Sequence, residues 1–144
     1  DKAVTGAHGI TVRADISINE VKKADAEAFI LPGGMPGTKN LAESEEVKEL
    51  LLYGYEKEKL VCAICAAPSV LGKYGILKGR RAVCYPGFED FLDGAKVYET
   101  PVMHDGNVIT SRGAGTAHLF AEEILVALKG ELVAEPVLKG MLYE

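Results

Sequence analysis

The sequence has no apolar run near the 18 or so residues that span a bilayer. The runs at residues 28–31 and 60–67 suit buried strands. It has no basic excess, because 16 Lys and Arg against 21 Asp and Glu leave a net charge of −5. That argues against a nucleic-acid surface, since neutralising phosphates takes clustered cations. The one basic cluster, residues 78–81, is short and reads as a solvated loop. Three cysteines cannot complete a disulfide framework within one chain, and a chain of 144 residues buries a core without such staples. A reducing, cytoplasmic compartment is therefore expected. Nothing at the start reads as a secretion signal. There is no internal repeat and no low-complexity linker. The 48% hydrophobic and 26% charged content excludes an intrinsically disordered chain, and the length suits one domain, residues 1–144.

Short elements lie between closely spaced Gly and Pro. Residues 10–15 alternate apolar and polar, which predicts a half-buried strand. Residues 26–31 form a buried strand that stops at Pro32-Gly33-Gly34. Ser44 caps a helix opened by Glu45 and Glu46, with Val47, Leu50, Leu51, Gly54 and Tyr55 on its apolar face. Leu60–Ile64 is a buried strand that breaks at Cys65 into a helix starting at about Ala66, because Pro68 is tolerated only in a first turn. Further strands are expected at 81–84, 95–98, 102–104 and 108–111, the last two joined by the hairpin turn Asp105-Gly106-Asn107. The glycine-rich loop 112–116 leads into a helix with the stripe Ala117, Phe120, Ile124 and Leu128, and Gly130 is its stop. Strands alternating with helices predict an α/β fold with a mostly parallel sheet covered on both faces. Ligands bind such sheets beyond the carboxyl ends of the strands, which points to the loops at 32–34, 65 and 112–115.

Cys65 is the leading chemical candidate. It stands where a strand turns into a helix, and Ala63 and Ala67 meet the steric demand of a nucleophile elbow. Amides at the helix start favour a thiolate there. A buried structural thiol is the competing reading, since free cysteine is commonly buried. Cys62 and Cys65 also form a C-x-x-C pair, but in a thioredoxin-like motif the first cysteine opens the helix, and here Cys62 lies inside the strand. Zinc needs four ligands, which Cys84, His8, His104 and His118 do not offer as a second paired motif. Those histidines read as surface or turn residues, and Cys84 as a core thiol. The Gly33-Gly34 amides suit either an oxyanion site or an ordinary turn. The segment Arg112-Gly113-Ala114-Gly115-Thr116 lacks a Walker lysine and a dinucleotide spacing, so close packing around the Cys65 turn is its expected task.

Three motifs in order, Leu31-Pro32-Gly33-Gly34, Ala63-Ile64-Cys65-Ala66-Ala67-Pro68 and Thr110-Ser111-Arg112-Gly113-Ala114-Gly115-Thr116, resemble the ThiJ/PfpI superfamily, and most of all its parkinsonism-associated deglycase branch. Asn40-Leu41-Ala42-Glu43-Ser44 resembles that branch too. The resemblance implies a flavodoxin-like three-layer α/β/α sandwich of the class I glutamine-amidotransferase type. It also implies a homodimer, a small carbonyl substrate, and no metal or other cofactor. It makes Cys65 the nucleophile, with the Gly34 and Ala66 backbone as oxyanion donors and Gly33, Tyr85, Arg112 and Gly113 as pocket support. The chemistry it implies is glyoxalase- or deglycase-type, through a hemithioacetal on Cys65. Oxidative-stress sensing with holdase-type protection, or an inactive scaffold, are the alternatives. In the protease-like branch a His follows the cysteine; Ala66 stands there, which argues against a peptidase. The branch also carries a first strand, loop and helix of about 35–40 residues, whose Glu serves the cysteine as proton shuttle; by this resemblance that segment lies outside the sequence. Tyr85 stands where the family often has His, and a phenol is a poor base near neutral pH.

Overall fold

The computed structural model describes residues 2–142. Its centre is a four-stranded sheet built from β3 (Ala28–Leu31), β4 (Leu60–Ile64), β8 (Val108–Ser111) and β7 (Val102–Asp105), in that order. β3, β4 and β8 run parallel, with Ala28 opposite Leu60 and Val61 opposite Val108. β7 returns antiparallel to β8, with Asp105 opposite Val108. This agrees with the expected mostly parallel α/β sheet.

Burial on both faces explains why these strands read as continuous apolar runs. Val61, Cys62 and Ala63 of β4 are all fully buried, yet alternate residues serve different cores. Val61 and Ala63 join Leu31, Val47, Leu51 and Val70 under α1 (Gly37–Glu43), α2 (Glu45–Glu56) and α3 (Pro68–Lys73). Cys62 and Ile109 meet Phe120 and Ile124 of α4 (Ala117–Lys129) on the other face. The result is helices over both sides of one sheet, the three-layer arrangement the resemblance implied. Each large aliphatic side chain so enclosed contributes roughly 1.5–3 kcal/mol.

The local signals explain the helices that were foreseen. The Ser44 hydroxyl accepts from the Val47 N–H at 3.2 Å, capping α2, and Glu45 and Glu46 occupy its first turn. Pro68 is the first residue of α3, where its missing N–H costs nothing. The helix thus starts two residues later than the expected Ala66, because 66–67 belong to the turn that follows Cys65. α4 ends at Gly130, which has φ of +82°. α1 and α5 (Glu131–Gly140) were not foreseen.

The edges depart most from expectation. The segment 10–15 was expected half-buried. Its strand is β2 (Thr11–Arg13), exposed throughout, and it pairs with β1 (Ala3–Thr5) in a hairpin apart from the central sheet. Residues 81–84 and 95–98 shorten to β5 (Arg81–Ala82) and β6 (Lys96–Val97), which pair parallel with each other. The basic cluster is not simply a solvated loop. Arg80 is half-buried and donates to Tyr55 Oη at 3.2 Å and Asp105 O at 3.1 Å.

Candidate functional site

β4 ends at Ile64, and the chain turns sharply at Cys65, whose φ is +66°. A side-chain-bearing residue pays for that left-handed conformation, of order 1–2 kcal/mol, and such strain persists only where the surroundings fix it. Here both backbone groups of Cys65 are held. Its N–H donates to Ser111 O at 3.0 Å, and its carbonyl accepts from the Tyr85 N–H at 2.8 Å. The Ala67 N–H then closes the turn on Ile64 O at 3.1 Å, and α3 follows. The two alanines flanking the turn, Ala63 and Ala67, are fully buried.

The loop after β3 lies against this turn. A Cβ on Gly33 would stand 2.5 Å from Cys65 Cβ and 2.7 Å from Ile64 O. Only glycine allows the two loops to approach so closely. The next residue, Gly34, has φ of +85°. Among the described residues, neither the Gly34 N–H nor the Ala66 N–H donates to a backbone carbonyl or a side chain. Ala66 is 2% exposed, and buried amides are nearly always paired, so its free N–H beside a half-buried thiol is a donor available for a ligand; Gly34 is exposed, and its N–H is open to the same space.

On the other flank, Tyr85 is half-exposed and Gly113 is buried against its ring, where a Cβ would come within 3.3 Å. Gly113 therefore serves Tyr85 rather than the Cys65 turn directly. Arg112 is half-buried and donates from Nη1 to Glu99 O at 3.3 Å. Ser111 Oγ and Thr116 Oγ1 share a 2.6 Å hydrogen bond, and Thr116 also accepts from the Gly113 N–H at 3.1 Å, which fixes the loop. Sequence reading missed this hydroxyl pair, and also Thr110, whose buried Oγ1 accepts from the Val83 N–H at 3.0 Å and moors the segment leading to Tyr85.

Two clefts adjoin the turn. One, of about 470 Å³, runs between the β1–β2 hairpin tip and the 33–37 loop and is lined by His8, Gly33, Gly34 and Asn40. The other, of about 410 Å³, is lined by Tyr85, Glu99, Arg112, Gly113 and Thr116. A larger groove of about 560 Å³ lies between α4 and α5, and no cysteine lines any of the three. The nucleophile geometry, not the volume, picks out the Cys65 end.

The three thiols, all free, sit in unlike settings. Burial pushes the Cys62 thiol up to about 12, and burial together with Glu89 pushes Cys84 up to about 11. Both are protonated and shielded at neutral pH, whereas Cys65 is half-buried and open to solvent. Of the histidines, His8 lies in the exposed hairpin turn. His104 is no loose surface residue: its ring joins Glu123 Oε1 at 2.6 Å and Gly106 O at 2.9 Å. Among the described residues no three His, Cys, Asp or Glu side chains gather as metal ligands, and no helix is long and apolar enough to cross a membrane.

A mostly parallel sheet whose central strand breaks at a left-handed cysteine, with a glycine loop pressed on it, defines a flavodoxin-like α/β protein with a sharp strand-to-helix elbow at Cys65. The chain matches the DJ-1/PfpI family over residues 1–127 and belongs to it. It is 39% identical over 140 residues to protein DJ-1alpha of Drosophila melanogaster, a match covering 95% of this chain and 64% of that protein's length. A protein of Pyrococcus abyssi named as a deglycase is 34% identical over 128 residues, covering 88% of this chain and 76% of its own. The crystal structure of Drosophila melanogaster DJ-1beta superposes with a TM-score of 0.91 at 36% identity, covering 99% of this chain and 78% of that one. The chain thus spans 64% to 78% of the lengths of these three relatives.

Proposed function

We propose that the protein is a cysteine-dependent enzyme of the glyoxalase or deglycase type, acting on small 2-oxoaldehydes or on their adducts with proteins. The observation that carries this reading is Cys65 at φ +66°, with the Gly34 and Ala66 amides free beside it. Cys65 Sγ attacks the aldehyde carbon, and the carbonyl π electrons move to oxygen. The oxyanion is received by the N–H groups of Gly34 and Ala66, donors already in place before charge develops. A proton on that oxygen completes the hemithioacetal. The former aldehyde C–H proton then passes to the neighbouring carbonyl carbon and the hemithioacetal hydroxyl proton to that carbonyl's oxygen, which gives a 2-hydroxy thioester, and water releases a 2-hydroxy acid and the free thiol. The family resemblance assigns that transfer to a glutamate, and the test is made on the full natural chain. Tyr85 and Arg112 line the cleft on one side and orient the rest of the substrate. The deglycase name of the Pyrococcus relative supports the class of reaction. A cytoplasmic homodimer belongs to the same proposal.

The experiment is turnover of methylglyoxal to lactate by the full chain and by Cys65→Ser. Turnover that vanishes in the variant supports the reading. Turnover unchanged by the substitution, or absent from the unaltered protein, overturns it. Selective peroxide oxidation of Cys65 without turnover would favour the sensor instead.

A further inference from the structure

Cys84 is a buried thiol that the proposed chemistry does not use. Its place in the fold gives it a partner. The Tyr85 N–H donates to Cys65 O at 2.8 Å, so Cys84, the residue before, runs beside the elbow. With standard bond lengths this hydrogen bond keeps the two Cα atoms within about 7.6 Å, an upper bound that overlaps the roughly 4.4–6.8 Å range of disulfides. The two thiols also sense each other electrostatically, because Cys65 is among the groups that raise Cys84. Exposure differs: Cys65 is half-buried, whereas Cys84 is 3% exposed. An oxidant from solution therefore meets Cys65 first.

The sheet separates Cys84 from the third thiol, Cys62. Cys84 lies in the core on the α1–α3 side, with Ala63 and Ala67. Cys62 points into the opposite core, with Ile109 and Phe120. β4 stands between them.

We propose that a peroxide drives Cys65 and Cys84 into an intramolecular disulfide, with Cys84 as the resolving thiol. In the first step Cys65 Sγ takes one peroxide oxygen as the O–O bond breaks, giving a sulfenic acid and, from hydrogen peroxide, one water. In the second, Cys84 Sγ gives up its proton and attacks Cys65 Sγ; the S–O bond breaks and the hydroxide leaves as water with that proton. The two thiols lose two electrons and the peroxide gains them. The bridge competes with over-oxidation of Cys65 to the sulfinate, from which thiols do not recover it. On the functional reading above, it is also a reversible off-switch.

The groups facing Cys84 set the speed of the second step. Burial and Glu89 disfavour its thiolate, while Arg112 and the Phe88 N–H favour it; the charge of a Cys65 thiolate, which also opposes it, is gone once that sulfur is a sulfenic acid. With the thiol at about 11, bridge formation rises about tenfold per pH unit between 7 and 9, since the thiolate is the attacking form.

The test treats the full natural chain with hydrogen peroxide, blocks free thiols, digests with trypsin without reduction, and weighs the peptides. Peptide 60–73 carries Cys62 and Cys65, and peptide 82–96 carries Cys84. Expected is a dithiothreitol-sensitive link between these two peptides that persists in Cys62→Ala. In Cys84→Ala and Cys84→Val the link is lost and Cys65 sulfinate rises at least tenfold; two variants guard against one that fails to fold. A link inside 60–73, equal sulfinate in all variants, or no oxidation of Cys65 overturns the proposal. These are mass measurements, so loss of methylglyoxal turnover from the unoxidised protein would sink the enzyme reading and leave the bridge standing.

Discussion

The two ends of β4 are built to opposite rules. At its amino end, where Glu58 also has a positive φ of +55°, the chain is tied in by hydrogen bonds. Asn107 Nδ2 donates to Tyr55 O at 3.2 Å and Lys59 O at 2.9 Å, and the Val61 N–H donates to Asn107 O at 2.8 Å. Lys59 Nζ reaches the carbonyls of Ala24 and Ala26. At the carboxyl end a residue sits in a strained conformation, and two amides beside it are unspent. The first end fixes the sheet. The second leaves hydrogen-bonding capacity for something that is not protein. Parallel sheets place ligands at that end because the loops there bring helix starts and free amides together.

The same contrast divides the thiols, and it supplies the largest expected effect. Iodoacetamide at pH 8 on the folded protein should label Cys65 while leaving Cys62 and Cys84 far slower, because burial raises both thiols to 11 or above, so that only about one in a thousand or fewer is ionised, and also shields them. Peptide mapping after timed quenching reads the ratio. Comparable labelling of all three would erase the distinction between an open and a sealed end.

Gly33→Ala attacks the open end through packing. The new methyl meets Cys65 Cβ at 2.5 Å and the Ile64 carbonyl at 2.7 Å, backbone and near-backbone atoms that cannot swing away. Overpacking of this kind costs on the order of 1–3 kcal/mol, and displacement of the turn should abolish methylglyoxal turnover. Urea unfolding and the turnover assay check both. At the sealed end, Asn107→Ala should cost about 1–2 kcal/mol by taking from the Lys59 carbonyl its side-chain donor, with turnover per folded molecule unchanged. Turnover that fell with Asn107 as it does with Gly33 would show that the two ends are not separable.

Much of this was legible before the structure. Strands 60–64 and 108–111 and the Ser44-capped helix were readable because each combines strong periodicity with a clear stop. Cys65 was readable because a strand ran into Pro68 within four residues, with alanines on either side. What failed had physical causes. α1 opens at Gly37 after Pro36 with no side-chain cap, so nothing announced it. α5 contains Pro136, an interior residue that normally ends a helix. It is tolerated because the carbonyl it leaves unbonded belongs to Leu132, which is 90% exposed and meets water. The segment 10–15 alternates as a half-buried strand does, yet neither face is covered by the described residues. Alternation reports the wish for a face to be covered, not the covering. The close approach of Gly33 to Cys65, a contact between loops about thirty residues apart, leaves no local signal beyond the Gly-Gly itself.

The smallest expected effect concerns pH, and the contrast also assigns its two limbs. The Arg81 N–H donates to Asp105 Oδ2 at 2.8 Å, and with the Arg81 and Arg80 guanidinium groups it holds the Asp105 carboxyl below its ordinary value. A carboxyl lowered by folding contributes stability above its unfolded pKa of about 3.9 and loses it as pH falls through the folded value. Its side chain is 25% exposed, so the contribution is small, under about 1 kcal/mol. Cys62 and Cys84 act in the opposite sense. Folding raises them, so their contribution is complete below the unfolded thiol value of about 8.5 and is lost as pH climbs toward 11 and 12. Asp105→Asn should therefore flatten the acid limb of a urea-midpoint-against-pH profile and leave the alkaline limb in place, while Cys84→Val should soften the alkaline limb and spare the acid one. If Asp105→Asn moved the alkaline limb, or Cys84→Val the acid one, the two sets of groups would be coupled through the sheet, and the separation between its ends would have to be given up.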